Sequence, residues 1–342
     1  MSTLMQSINQ QWLLKERPSG LVEESNFEWR ENEIPELKED EILVKVLYLS
    51  FDPTQRGWLN DVPSYVPPVQ IGEVMRAGGI GKVVATNNPN YQIGELVQGT
   101  FGWQRYCATK GSGVFPISKV PPGFPPTYWL SVLGITGLTA YFGMQKIAQV
   151  EKGDVVLVSG AAGATGSVAG QIAKFMGAKQ VIGIAGGAEK CAWLLEAGFD
   201  DAIDYRAESV SERLKSLCLD GVNVYFDNVG GPILDEVLLN MAIRGRVALC
   251  GGISSGYGLD LPPGPKHYMQ LVIRRCRMEG FLVLDYVKEF PGAIEQLQGW
   301  LNRGELIFQE DMQEGLENAP NTLRRLFQGK NIGKQLLRVA SD

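Results

Sequence analysis

Histidine is almost missing from this chain: 342 residues hold one, His267. An imidazole-rich metal site is therefore excluded. A Ser-His-Asp triad would have to use that single residue, and no nucleophile-elbow motif accompanies it. His267 sits in a P-P-G-P-K-H-Y stretch and reads as an ordinary loop residue. Cysteine is scarce as well. Cys107, Cys191, Cys218, Cys250 and Cys276 are scattered and odd in number, which is neither a disulfide framework nor the spacing of a structural zinc site. That usage fits a reducing compartment, so a cytoplasmic location is expected. There is no basic block and the net charge is −6, so no nucleic-acid partner is expected. No apolar run reaches the ~18 residues needed to span a bilayer. The first residues lack the basic and apolar regions of a secretory signal. Neither a membrane partner nor export is expected.

What is present is concentrated between residues 155 and 170, V-V-L-V-S-G-A-A-G-A-T-G-S-V-A-G. A short apolar run reads as a buried parallel strand. Gly160, Gly163 and Gly166 follow, spaced three apart. A helical pattern then places Val168, Ile172, Phe175 and Met176 on one face, with Gly177 as its stop. Strand, tight turn and helix together present backbone N–H groups and a helix N-terminus to a pyrophosphate. A second strand, 180–185, follows at βαβ distance. An NAD site usually carries an acid at the end of that strand to hold the ribose 2′-hydroxyl. Here the residues are Ala185, Gly186 and Gly187, followed by Lys190. A small turn beside an ammonium favours a 2′-phosphate, so NADP(H) is expected rather than NAD(H).

The first ~125 residues read as β-rich, with strands near 41–51, 74–86, 96–100 and 103–109, separated by Gly, Asn and Pro. A Pro-rich segment at 120–126 ends this part. Helical periodicity begins near Trp129 and continues to Ala148. From Val155 the chain alternates strand and helix, with strands at 155–158, 180–185, 201–205, 222–226, 246–250 and 278–283. Six βα repeats make a doubly wound parallel sheet. The Gly- and Pro-rich loop at 251–265 lies where such sheets bind ligands. A last helix (322–327) and strand (334–339) return to the first domain.

These features resemble the zinc-independent branch of the medium-chain dehydrogenase/reductase superfamily over essentially the whole chain. The motif G-D-V-V-L-V-S-G-A-A-G-A-T-G-S (153–167) carries the resemblance. It is narrowed by D-P-T-Q-R-G (52–57), Y-F-D-N-V-G-G (225–231), C-G-G-I-S-S-G-Y (250–257), L-P-P-G-P (261–265), R-M-E-G-F (277–281) and G-K-N-I-G-K (329–334). Together they are similar to the leukotriene B4 dehydrogenase, prostaglandin reductase and alkenal double-bond reductase group. Residues 61–68 and 102–106 look closest to its curcumin reductase-like members. The implied fold is α/β: a GroES-like β-barrel-type catalytic domain (1–128 and 304–342) and a Rossmann domain (129–303) that binds NADP(H).

The resemblance also implies roles. Gly163, Ala164, Thr165, Gly166 and Ser167 would bind the pyrophosphate, and Lys190 and Tyr205 the 2′-phosphate. Asn228, Cys250, Gly251, Ile253, Ser254, Tyr257, Phe281, Leu282, Val283 and Asn331 would line the nicotinamide side. Ile273 stands where some members carry a tyrosine, which removes a proton role from that position. The implied reaction is reduction of a C=C bond conjugated to a carbonyl, with hydride going to the β-carbon and charge developing on the carbonyl oxygen. No metal is needed. Such a site requires an apolar slot and a hydrogen-bond donor for the enolate, and a phenol suits that role. Tyr257 is the first candidate and Tyr65 the second. Asp227 and Asp52 read as turn-forming residues, Arg56 as a salt-bridge residue, and Trp58, Trp103 and Tyr106 as core residues that could also stack on a substrate. A small apolar α,β-unsaturated carbonyl substrate and a homodimer are expected. Two other functions stand beside this one: quinone reduction, and NADPH sensing without turnover.

Overall fold

The computed structural model describes residues 8–111, 116–259 and 262–341. Residues 1–7, where a signal was sought, and Leu261 of the L-P-P-G-P motif lie outside the described residues. The chain divides into two compact units. Met1–Leu130, Asp311–Lys330 and Gln335–Asp342 form the first, and Ser131–Glu310 and Asn331–Lys334 the second. The boundaries drawn from sequence fall at 128/129 and 303/304. Residues 304–310 and 331–334 group with the second unit for a local reason. Gln171 holds both the N–H and the carbonyl of Ile307, at 2.9 and 2.8 Å, and Gly333 donates its N–H to the Ala162 carbonyl at 2.7 Å.

The first unit is mostly sheet. Strands β1 (Ile8–Leu14) and β2 (Phe27–Glu33) form an antiparallel pair. Sequence reading had no strand here, because Asn9, Gln10 and Gln11 hide the alternation that Trp12 and Leu14 complete. Next come β3 (Ile42–Ser50), β4 (Gly78–Thr86), β5 (Leu96–Thr100), β6 (Tyr106–Thr109) and β7 (Ser118–Lys119). The core beneath them is aromatic. Trp103 is fully buried, 5.0 Å from the Phe27 ring and 5.5 Å from Phe51, so it fills the core and offers no face to a substrate. Trp58 is buried too, and Tyr106 is half-buried. Arg56 departs from expectation. It is wholly buried and, among the described residues, makes no salt bridge; instead it donates to the carbonyls of Gly20 and Pro18 and to the Asn60 side chain at 2.7–2.8 Å. Burial pulls its guanidinium below the usual arginine value.

The second unit carries β8 (Val155–Ser159), β9 (Gln180–Ala185), β10 (Asp201–Asp204), β11 (Val222–Asp227), β12 (Met241–Leu249) and β13 (Arg277–Gly280). Their spatial order is β10-β9-β8-β11-β12-β13, every neighbour parallel. This is the doubly wound order, with the switch point between β8 and β11. The central strands read as unbroken apolar runs because helices cover both faces. β12 starts five residues earlier than its apolar core 246–250 suggests, since Met241 and Ala242 already pack inside. β13 ends at Gly280 rather than 283, where the chain turns into a 3-10 helix, Val283–Glu289. The helix Ala164–Phe175 buries Val168 and Ile172 completely, each stabilising by roughly 2 kcal/mol. Phe175 stays 37% exposed and packs on Trp300 at 4.7 Å.

Residues 135–142 are α-helical, and the following turn, Gly143–Ala148, is a π-helix. The chain closes with β14 (Glu310–Glu314), a helix at Ala319–Phe327, and β15 (Lys334–Arg338). β14 and β15 complete a seven-stranded sheet ordered β14-β15-β3-β4-β5-β7, with β6 on β3.

Candidate active site

The turn after β8 is built by glycines at two critical points. Gly160 adopts φ +57°, a left-handed conformation that lets the chain reverse directly off the strand. At Gly166 a Cβ would lie 2.5 Å from the Gly160 carbonyl oxygen and 2.8 Å from Ala161 Cα. Only glycine allows the helix to abut the turn so closely. Gly163 is the extended N-cap, and the first turn of the helix has no acidic residue. The first intrahelical bond is donated by Ser167 N–H to the Gly163 carbonyl, so the N–H groups of Ala164, Thr165 and Gly166 precede it. With the helix dipole behind them they form an anion-binding corner. Among the described residues the Ser167 hydroxyl is buried without a hydrogen-bond partner, beside a small space that Ala164, Ser131, Thr136, Gln309 and Lys334 also line. Gly163 also pairs in parallel with Gly333, whose carbonyl accepts from Asn331 Nδ2 at 3.0 Å.

At the end of β9 no carboxylate stands on Ala185, Gly186 or Gly187. Asp204, at the end of β10, uses Oδ1 to accept the N–H groups of Gly187 at 2.8 Å and Arg206 at 3.0 Å. Its charge is therefore directed into the backbone. Tyr205 is 45% exposed, its ring against Gly186, and the Arg206 guanidinium lies 5.8 Å from the ring centroid. Lys190 is half-buried in the first turn of the helix Ala188–Glu196.

Beyond the switch point, Asp227 is the hub. Completely buried, its Oδ1 accepts from the Ser159 hydroxyl, the Tyr225 hydroxyl and the N–H groups of Val229 and Gly230, all at 2.7–2.9 Å. Its backbone carbonyl accepts from Cys250 and Gly251. Asn228 is held by the Ser159 hydroxyl and carbonyl at 3.0 and 2.7 Å. Three chain segments at the C-terminal ends of β8, β11 and β12 are thus drawn together. Asn228 accepts Ile253 N–H, and Val229 accepts both the N–H and the hydroxyl of Ser254. Phe281 packs edge-on to Phe226 at 6.3 Å, while Leu282 is exposed and Val283 buried.

Residues 160–163, 228–231, 250–257 and 281–283 include no charged side chain. Burial pushes the Cys250 thiol up to about 12, helped by the Asp227 carboxylate, although the residue as a whole is partly exposed. It is therefore a neutral, apolar wall. Burial and the same carboxylate raise the Tyr225 phenol well above its usual value.

Tyr257 ends the loop in a left-handed conformation, φ +53°, which is strained for a bulky side chain. Its hydroxyl oxygen accepts Gly252 N–H at 3.1 Å and lies close to Gly251. Tyr65 belongs to the first unit. It is 47% exposed and its hydroxyl accepts the Trp58 indole N–H at 3.3 Å. Sequence reading overlooked Ser159, Gly333 and Arg206. Only the last carried a visible signal, a cation adjoining Tyr205. Asp52 is a turn residue, accepting the Ser50 hydroxyl at 2.9 Å. His267 donates its backbone N–H to Asp235.

Comparison with known proteins accounts for both units. A family model described as the N-terminal domain of oxidoreductase matches residues 10–117, and one described as zinc-binding dehydrogenase matches 164–299. The residues here do not fit zinc: among the described residues no three His, Cys, Asp or Glu side chains converge. An NADPH-dependent curcumin reductase of Escherichia coli (strain K12) is 38% identical over 340 residues, 98% of each chain. An NADP(+)-dependent 2-alkenal reductase of Nicotiana tabacum is 39% identical over 342 residues, again 98% of each. The crystal structure of CurA from Vibrio vulnificus in complex with NADPH superposes with a TM-score of 0.90 at 38% identity, covering 97% of this chain and 100% of that one.

Proposed function

This chain belongs to the zinc-independent medium-chain dehydrogenase/reductase family, in its curcumin, alkenal and prostaglandin reductase group, and on that premise we propose that it reduces the C=C bond of small apolar α,β-unsaturated carbonyl compounds with NADPH. The observation that carries this is the set of uncharged loops at the strand ends described above, one of which ends on a phenol. When bound, NADPH would supply a hydride to the β-carbon of the enone, and a proton from solvent would complete the α-carbon to give the saturated ketone.

The protein's own work is to bind, orient and stabilise. The N–H groups of Ala164–Gly166 hold the pyrophosphate, and Lys190 and Tyr205 the 2′-phosphate. Asn228, Ile253, Ser254, Phe281 and Asn331 line the nicotinamide side, and Cys250 closes it as a neutral thiol. As charge moves to the carbonyl oxygen, a phenol O–H donates a hydrogen bond to it. Tyr257 is the first candidate, because its strained backbone is held at the mouth of the β12 loop. Tyr65 is the second.

The five unpaired thiols favour a cytoplasmic setting, and no helix among the described residues is long and apolar enough to cross a membrane. A homodimer is supported by β13. Among the described residues it ends the sheet with its outer edge unpaired, and Tyr268, Met269, Val272 and Ile273, which precede it in the chain, are 50–65% exposed.

The test is NADPH absorbance loss, with NADH in parallel, using a 2-alkenal, an aryl enone and a quinone, and product mass as the second readout. Enone-dependent turnover to the saturated ketone is expected. Turnover with the quinone alone would overturn the proposal in favour of quinone reduction. Cofactor binding with no turnover on any acceptor would overturn it in favour of a sensor.

A further inference from the structure

We infer that Arg206 is a cationic contact for the cofactor's 2′-phosphate and a determinant of the preference for NADPH over NADH. The inference rests on the NADPH assignment and deepens it.

Its basis is the space at the end of β9. A Cβ on Gly186 would lie 2.8 Å from Arg206 Nε, 2.8 Å from Tyr205 Cε1 and 2.9 Å from Tyr205 Cζ. The volume that a side chain would fill at this strand end is therefore occupied by the Tyr205 ring and the Arg206 guanidinium. This is the place from which a dinucleotide enzyme reads the adenosine ribose. Glycine at 186 is what admits them.

The arrangement is fixed from behind. Asp204 Oδ1 accepts both Gly187 N–H and Arg206 N–H, tying the two strand ends together. The Asp204 N–H in turn donates to Glu208 at 3.1 Å. Stacking 5.8 Å from the Tyr205 centroid limits where the guanidinium can go.

Competition from the nearby acids is weak. Oδ1 of Asp204 is engaged with the two backbone N–H groups, and Glu208 pairs with Arg213 at 3.1 Å. Glu189, in the first turn of the neighbouring helix, is exposed. A guanidinium presents a planar fork that matches two phosphate oxygens, whereas an ammonium such as Lys190 acts as a point charge. Lys190 and Arg206 would thus share one dianion, the first from the helix and the second from the β10 turn. Both cations are solvent-accessible, so the contact should weaken with salt.

The experiment is calorimetric titration of NADP+ and NAD+ into wild type, Arg206→Ala and Arg206→Lys, at low and high salt. For Arg206→Ala the expected result is about tenfold weaker NADP+ binding, equivalent to ~1.4 kcal/mol, with NAD+ affinity unchanged. Arg206→Lys should recover part of the loss, and the difference between wild type and Arg206→Ala should shrink in salt. Retention of full discrimination by Arg206→Ala would overturn the inference while leaving the NADPH assignment intact. An equal loss for both nucleotides would also overturn it, because that is the signature of a structural role. A wild type that binds NADP+ and NAD+ equally would overturn the NADPH assignment itself.

Discussion

The Tyr225 hydroxyl donates a 2.7 Å hydrogen bond to Oδ1 of Asp227, and neither side chain reaches solvent. The same oxygen takes three further donors, so one buried carboxylate sets the geometry of the loops after β8 and β11. Asp227→Ala would strand two hydroxyls and two backbone N–H groups. It should lower stability by roughly 3–5 kcal/mol. Tyr225→Phe removes one donor and leaves three, at a cost of about 1 kcal/mol. Urea unfolding midpoints measure both. Equal losses would contradict the hub.

The two phenols can be separated kinetically. If Tyr257 supplies the donor, Tyr257→Phe should lower kcat by roughly 10²-fold, the usual scale for one oxyanion donor, and leave the KM for NADPH within about twofold. Tyr65→Phe should then have little effect on kcat. The reverse pattern would transfer the role to Tyr65.

Gly166→Ala should be costly for its size. The added methyl meets the Gly160 carbonyl and Ala161 Cα, both backbone atoms that cannot swing aside. A destabilisation of about 1–3 kcal/mol is expected, together with weaker NADPH binding. Thermal melts with and without NADPH read both effects. An unchanged melt would mean that the turn has more slack than its geometry implies.

Buried thiols give the fold an alkaline limit. Burial pushes Cys107 and Cys250 up to about 12 and Cys218 to about 11, from an ordinary 9.0. In the native state these groups hold their protons above the pH at which the unfolded chain releases them. Their contribution is therefore complete below about pH 9 and lost as pH rises toward 11–12. Urea midpoints should fall across that window. At pH 8 iodoacetamide should modify the partly exposed Cys191 and Cys276 before the buried Cys107 and Cys218, and before Cys250, which is partly exposed too but whose thiol burial pushes up to about 12.

The β13 edge predicts the assembly state. Ile273 is 56% exposed and Val272 65%, so Ile273→Lys should shift a dimer toward monomer in light scattering while NADPH binding persists. A wild type that is monomeric at micromolar concentration would remove the homodimer.

Much of the second unit is legible in the sequence because its strands are short apolar runs bounded by glycine. Gln180–Ala185 has the same bounds in the sequence reading and in the structure. Legibility fades where tertiary packing decides. Nothing local announces that Met241 already belongs to a strand, or that the helix begun at Ile135 continues as a π-turn at Gly143. A Cβ on Gly143 would lie 2.5 Å from the Phe226 ring and 2.7 Å from Phe281, so a close approach between distant segments shapes that turn. The site shows the same division. The glycine turn, Lys190 and Tyr205 stand out as residue types at telling positions. Ser159 gains meaning only once β8 lies near β11, and Arg206, visible as a cation adjoining Tyr205, is placed at the end of β9 only once β9 lies beside β10.

The pairing of Gly163 with Gly333 bears on how the molecule is made. A ribosome that has finished every alternating strand and helix of the nucleotide half has not yet supplied Asn331–Lys334, the segment that closes that half beside the phosphate turn. Domains emerging from the ribosome tend to fold as units, N-terminal first. Here the phosphate turn at Gly163 must wait for Gly333, a partner 170 residues further along the chain. Cofactor capture should accordingly be a late event of biogenesis, and nascent chains arrested before residue 331 should hold NADPH poorly even with β8 to β13 in place.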